Sequence, residues 1–301
     1  GLNIAREMSR YQLKICVIET ADDVGRGCTK ANSGIVHGGY NDEPGSLKAE
    51  LCVAGNRLYA ELDSQLHFGY RRTGSLVLAF AETELATLNQ LLSDGQQNGV
   101  AGLRIIGREE LLALEPHVNP AAIAALLCES AGVTSPYEFA IALAENAIVN
   151  GVKLFLSEMV QSIDTDANHF RIGTNKGEHF ARFVINCAGI NSDRIAALVG
   201  LDDYLITPRR GQYVLLDRDQ SHLVRSVIFQ TPTPLGKGIL VTATYHGNLM
   251  VGPNAEDIDD RTDVGTDVQT LEKIVTQARR SVPGFDMRKA LTSFAGNRPF
   301  S

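Results

Sequence analysis

The sequence contains no tryptophan, and only 6% of its 301 residues are aromatic. A stacking platform for nucleic acid needs aromatic faces, so that class of partner is disfavoured. Nor is there a basic run: 28 Lys and Arg stand against 35 Asp and Glu, a net charge of −7. The acids and bases are interspersed, which argues again against a nucleic-acid surface. An anionic substrate is not excluded, because a few arginines set the potential inside a pocket. The five cysteines (Cys16, Cys28, Cys52, Cys128 and Cys187) are scattered and form no C-x-x-C pair. Neither a zinc site nor a disulfide framework is therefore expected, no metal is assigned, and a reducing cytoplasm is the expected compartment. No apolar run approaches the ~18 residues of a membrane-crossing helix; peripheral association with a membrane stays open. The N-terminus reads as a helix and not as a secretory leader. No G-x-G-x-x-G is present either.

What is there alternates helix with short buried strand. Leu2, Ile4, Ala5 and Met8 give the first stretch a helical face, and Leu13–Glu19 is a brief apolar run ending in an acid. Helices are expected over residues 46–66, 82–95, 136–150, 193–199 and 268–280, with a short one from Arg108. Strands are expected at 75–80, 152–156, 211–216, 227–230, 239–242 and 249–251. Residues 170–172 and 179–181 read as a hairpin, and residues 121–129 fit strand or helix. Residues 182–189 read as a buried strand running into a glycine turn. The alternation implies an α/β protein with a parallel sheet. The later run of strands implies a second, mixed or antiparallel sheet, hence two domains.

Residues 21–45 form a Gly- and Asp-rich loop, and a loop of that length in a compact domain is usually functional. Its short polar side chains would let backbone N–H groups approach a pyrophosphate or a ring; the plainer alternative is a surface loop. His37 sits between the apolar pair Ile35–Val36 and Gly38-Gly39. A neutral imidazole there is suited to take a hydroxyl proton near neutral pH, or serves only as a structural hydrogen-bonding group. Glu19 closes its strand where an acid can accept from ribose hydroxyls, or it is simply solvated. Arg210 and Arg298 are candidate anion clamps, since a guanidinium matches carboxylate or phosphate with two parallel bonds. Tyr213, three residues past Arg210, shares a pocket with it only if the strand starts late or bulges at Gly211. Tyr40 and Lys48 are further candidate substrate contacts.

Four segments together resemble one family: Lys30–Asn56, Phe183–Ala196, Thr207–Asp217 and His246–Asp257, with F-A-G-N-R-P near the end. Their order and spacing resemble the D-amino-acid-oxidase (DAO) superfamily of FAD-dependent oxidoreductases, near those acting on glycerol 3-phosphate or L-2-hydroxyglutarate. The resemblance implies a Rossmann-like FAD-binding domain roofed by a mixed sheet from a substrate domain. It divides the chain into an FAD-binding part (1–66 and 137–204) and a substrate part (67–136 and 205–290), with 291–301 returning to the first. It places Thr29, Lys30, Asn32, Ser33 and Gly34 along the FAD. Val160, at the end of a strand and turn, would offer its backbone to adenine, and Ala188 and Gly189 would press against the dinucleotide. It makes Gly1 the last glycine of a dinucleotide turn whose preceding strand lies outside the sequence, so FAD is expected to bind this chain weakly and the Ile15–Glu19 strand to show an open edge.

The activity implied is hydride removal from an anionic secondary alcohol, with His37 as base and Arg210 and Arg298 as clamps. The electron acceptor is a quinone or another oxidant. An amine- or amino-acid-oxidising flavoenzyme and a non-catalytic flavoprotein electron-transfer subunit are the alternatives.

Overall fold

A computed structural model gives the structure of residues 1–166, 168–232 and 238–301. The chain opens with helix α1 (Leu2–Met8) and strand β1 (Cys16–Ile18), followed by the long loop, which holds a single 3-10 turn and the two-residue β2 (Ile35–Val36). Helix α2 (Leu47–Leu66) starts at Ser46, whose hydroxyl accepts from the Ala49 N–H at 3.2 Å, and ends at His67 in the left-handed region. Then come β3 (Tyr70–Arg72), β4 (Ser75–Ala79), α3 (Glu82–Gln97), β5 (Leu103–Gly107), α4 (Arg108–Leu114), β6 (Ala124–Cys128) and β7 (Gly132–Thr134). Pro136 opens α5 (Pro136–Val149), as suits a residue without an N–H at the first turn.

After α5 the chain makes β8 (Lys153–Phe155), β9 (Val160–Thr165), β10 (Phe170–Thr174) and β11 (Gly177–Ala181), then α6 (Ser192–Ala197) and the long β12 (Thr207–Leu216). Strands β13 (Val227–Gln230), β14 (Leu240–Ala243), β15 (Leu249–Gly252) and β16 (Glu256–Asp257) follow. Helix α7 (Val268–Ser281) is capped by Asp267, which accepts from the Thr270 N–H at 2.8 Å, and β17 (Ala290–Phe300) completes the chain.

These elements make an α/β fold with several sheets. β1 and β8 pair in parallel, and α1 and α5 close over them through Ala5, Ala147 and Val152. β9, β10 and β11 form an antiparallel meander, and β2, β7 and β3 a small antiparallel sheet. The large mixed sheet runs β16-β12-β15-β14-β13-β4-β6-β5, with β17 also on β12. Among the described residues its one parallel pair joins β13 to β4. Its core, including Leu76, Leu78, Leu216, Ile228 and Leu249, is fully buried, worth about 1.5–3 kcal/mol per such side chain. Among the described residues no helix is long and apolar enough to cross a membrane.

One expectation is corrected. Residues 182–188 belong to no described ladder, and Phe183, Val184 and Ile185 are 80%, 40% and 52% exposed. The apolar run was read as buried because such runs usually sit inside a sheet; no described strand lies beside it. Strand β17 pairs with β12 from Thr207↔Phe300 to Leu216↔Ala290. Val160 stands at the end of the turn that follows β8 and opens β9. The edge of β1 away from β8 carries no described strand.

Candidate active site

The loop between β1 and α2 is held by its own side chains. Asn32 donates to the Thr29 carbonyl at 2.7 Å, and its Oδ1 accepts from the Gly34 N–H at 2.8 Å. Gly34 takes φ +64, and a Cβ there would stand 2.5 Å from the Thr134 carbonyl, so only glycine fits. The loop is pressed against β17: a Cβ on Gly296 would run into the backbone of Ala31. The Ser33 side chain meets the Tyr213 hydroxyl, and the Arg298 guanidinium acts on both Tyr213 and the Cys28 thiol. Burial pushes the Tyr213 phenol up to about 12, against the pull of Arg298. Thr29 and Lys30 are exposed on the outer side of this turn.

His37 follows β2 and is half-buried. Its ring lies 5.9 Å from that of Phe229 on β13. A small cleft is lined by His37, Tyr40, Asn41, Phe229, Gln230 and Pro232. Tyr40 turns its hydroxyl away from solvent to Ser75 Oγ, 3.3 Å off, and burial drives its phenol well above the ordinary range. Lys48 is exposed and pairs with Asp42 at 2.9 Å. The structure thus gathers His37 and Tyr40 at one cleft and leaves Lys48 on the surface. Asn41, Phe229 and Gln230 escaped the sequence reading; a strand pattern alone does not tell which loop its face will meet.

β12 and β17 decide what the arginines face. Directly opposed residues of an antiparallel pair share a face, as do alternate residues along a strand. The register Arg209↔Arg298, Gly211↔Gly296 and Tyr213↔Phe294 puts these six on one face, and Tyr213 stacks on Phe294 at 4.8 Å. That face meets the loop. Register shifts only at Leu215/Leu216, so no bulge at Gly211 turns Arg210 the same way. Arg210 points to the opposite face, where it binds Asp263 at 2.7 Å and Glu256 at 3.0 Å. The expected partnership of Arg210 with Arg298 and Tyr213 is corrected on this ground. Arg298 donates to the Asn254 carbonyl at 2.7 Å, and Arg209 is held by Asp257 and lies 3.7 Å over the Phe300 ring.

The remaining candidates lie toward the parallel strands. Gly1 caps α1 and sits beside Cys187, where a Cβ would come 3.2 Å from that residue's Cβ. Glu19 stands directly after β1. Glu19 accepts from the Ala21 N–H at 2.9 Å, and its carbonyl accepts from Glu158 N–H. Ala188 and Gly189 are exposed, with open space where a Gly189 Cβ would stand. Val160 begins β9 beyond Glu158. A pairing the sequence did not signal lies here: buried Glu158 accepts from Thr174 at 2.7 Å and pairs with His179 at 2.6 Å, which holds its carboxyl below the usual range. Open backbone at Ala188–Gly189, an acid at a strand end and a glycine-tight loop fit an extended dinucleotide such as FAD.

A family model described as FAD dependent oxidoreductase (DAO) matches residues 1–301. The chain belongs to that family of flavin-dependent enzymes. It is 47% identical over 298 residues to a glycerol 3-phosphate dehydrogenase of Caloramator mitchellensis, covering 99% of this chain and 62% of that protein. It is 33% identical to the mitochondrial L-2-hydroxyglutarate dehydrogenase of Homo sapiens, covering 85% of this chain and 58% of that protein. The chain therefore spans less than two thirds of the length of these relatives. The solved L-alpha-glycerophosphate oxidase of Mycoplasma pneumoniae, with FAD bound, superposes with a TM-score of 0.94 at 31% identity, over 100% of this chain and 80% of that one.

Proposed function

We propose that this chain carries the FAD-dependent oxidation of an anionic secondary alcohol, glycerol 3-phosphate or an L-2-hydroxy acid such as L-2-hydroxyglutarate. The observation that carries the reading is a half-buried imidazole at the mouth of a cleft, on the same loop whose preceding turn packs against Tyr213 and the Arg298 strand. The relatives named for those two substrates support it.

FAD bound along the Cys28–Gly34 loop would supply the hydride acceptor. Glu19, Val160, Ala188 and Gly189 would hold its dinucleotide part, with Gly1, Thr29, Lys30, Asn32, Ser33 and Gly34 beside it. His37 takes the hydroxyl proton at a ring nitrogen, which a base working near neutral pH can do. Arg298 holds the anionic end, and its bond to the Asn254 carbonyl orients the guanidinium. Arg210, bound by two carboxylates on the other face, supports the strand that carries Tyr213. Phe229 and the buried Tyr40 exclude water from the imidazole. Two domains are proposed, the first built on β1, β8 and the β9–β11 meander and the second on the large sheet. Cysteine usage supports the cytoplasm as the compartment.

The test loads the protein with FAD and follows flavin bleaching anaerobically with each substrate, then turnover with an artificial acceptor. Glycerol 3-phosphate or L-2-hydroxyglutarate should bleach the flavin while glycine and sarcosine should not. Bleaching by the amines alone would replace this reading with amine oxidation. An artificial acceptor makes the result independent of whether the natural one is a quinone.

A further inference from the structure

We infer that Asn56 is the positioning residue of the proposed base, an inference that rests on the role given to His37 above. Asn56 lies on α2 and is buried, 8% exposed. Its side-chain amide nitrogen donates to the His37 carbonyl at 3.0 Å and to the Ser130 carbonyl at 2.9 Å. Both hydrogens of that amide are thereby used.

The place is particular. β2 and β7 pair through Ile35↔Val133 and Val36↔Gly132, and the ladder stops there. His37 continues β2 and Ser130 precedes β7, and the carbonyls of both accept from the one Asn56 amide. The Asn56 amide takes the place of the next rung. The Cys52 thiol also reaches the His37 carbonyl, at 3.9 Å, a weak bond by comparison.

Beyond His37 the chain has no other course. Gly38 packs against Cys128 and Gly39 against Val53 so closely that a Cβ on either would collide. A second amide, that of Asn98, donates to the Gly39 and Asp42 carbonyls at 3.0 and 2.8 Å. Asn98 fixes the rest of the loop; Asn56 fixes the peptide of His37 itself. That peptide plane sets the direction of the Cα–Cβ bond, and so whether the imidazole meets the cleft beside Phe229. Without the amide, two part-buried carbonyls lose this donor and the peptide turns toward water. A displacement of roughly 1 Å at a reacting group costs on the order of 100-fold in rate.

The experiment is a double-mutant cycle on the FAD-loaded protein, reading the rate of flavin reduction by glycerol 3-phosphate or L-2-hydroxyglutarate, whichever bleaches it. Asn56→Ala should slow reduction about 10- to 100-fold in the His37 background but less than about 3-fold in a His37→Gln background. KM should move less than kcat, and Asn56→Gln, which keeps an amide, should recover part of the loss. If Asn56→Ala does not fold, Asn56→Ser, with one donor left, is read in the same cycle. A second readout needs no turnover: the NMR titration of the His37 imidazole in flavin-free protein should shift in Asn56→Ala and remain in place in Asn98→Ala. Equal losses in both backgrounds, with an unmoved His37 titration, would reduce Asn56 to a structural role and overturn the inference. Should His37→Gln alone leave the rate unchanged, the proposed base fails, and that outcome is recognisable before Asn56 is touched.

Discussion

The imidazole of His37 lies 5.9 Å from the ring of Phe229, with the two planes 31° apart. One residue belongs to the loop after β2 and the other to the large sheet, so their meeting places a titratable ring where the two parts of the fold join. If His37 takes the hydroxyl proton, His37→Gln keeps a polar side chain and loses the base. Flavin reduction should then slow by about 100- to 10,000-fold, with FAD absorbance and thermal melting little changed. Stopped-flow bleaching measures it, and a loss under about 3-fold would move the base elsewhere.

Arg298 and Arg210 should separate cleanly, because they occupy opposite faces of the β12–β17 pair. Arg298→Ala removes a guanidinium from the loop side and should raise KM about 10- to 100-fold, the worth of a charge-assisted contact. Arg210→Ala leaves Glu256 and Asp263 without their cation and should lower stability by about 0.5–3 kcal/mol with KM nearly unchanged. Urea unfolding and steady-state kinetics on both variants decide it; a large KM effect from Arg210→Ala would contradict the face assignment.

The same pair of residues marks how far sequence reasoning reaches. Alternation along a strand says that Arg210 and Tyr213 face apart, and the structure agrees. Which of the two faces meets the loop is set by β17 lying on β12, a contact between segments far apart in the chain, and no local pattern announces it. Helix α2 is legible from the helical pattern that begins at Ser46, α7 from its pattern before Pro283, and the loop to Gly34 from its short polar residues. The run Phe183–Ile185 misled because apolarity reports an expected partner and not its presence. Phe229 and Asn56 went unseen for the same reason as β17: each acts on His37 from an element whose neighbour only the fold reveals.

Gly34 tests the loop itself. Its φ of +64 and the 2.5 Å approach of the Thr134 carbonyl leave no room for a methyl group. Gly34→Ala should therefore cost more than about 1 kcal/mol, since strain and collision both oppose it. Asn32 and Ser33 would be displaced with it, so FAD titration by flavin fluorescence should show weaker binding. Alanine tolerated with full stability and unchanged FAD affinity would show that the loop backbone can relax away from Thr134.

Asp193 and Arg261 give the fold a pH-dependent tie. Arg261 binds Asp193 through two bonds of 2.6 Å, and both side chains are nearly inaccessible. Asp193 also accepts from the Ile206 N–H at 3.0 Å, joining α6 to the start of β12. The Arg261 hydrogen bonds hold its carboxyl far below the usual carboxylate range, against the opposing effect of burial. A carboxyl whose folded pKa is depressed stabilises the fold fully above its unfolded pKa, about 3.9, and loses that contribution as pH falls through the folded value. Asp193→Asn leaves Arg261 without its counter-charge and should cost about 3–5 kcal/mol at pH 7. The deficit relative to the unaltered protein should stay level from pH 8 to about 5 and shrink at more acid pH, as the carboxylate of the unfolded chain takes up protons while the folded one stays ionised. Urea unfolding of both proteins across that range reads it directly. A deficit that widened toward acid would mean that Asp193 is protonated in the folded protein and that Arg261 is held by something else.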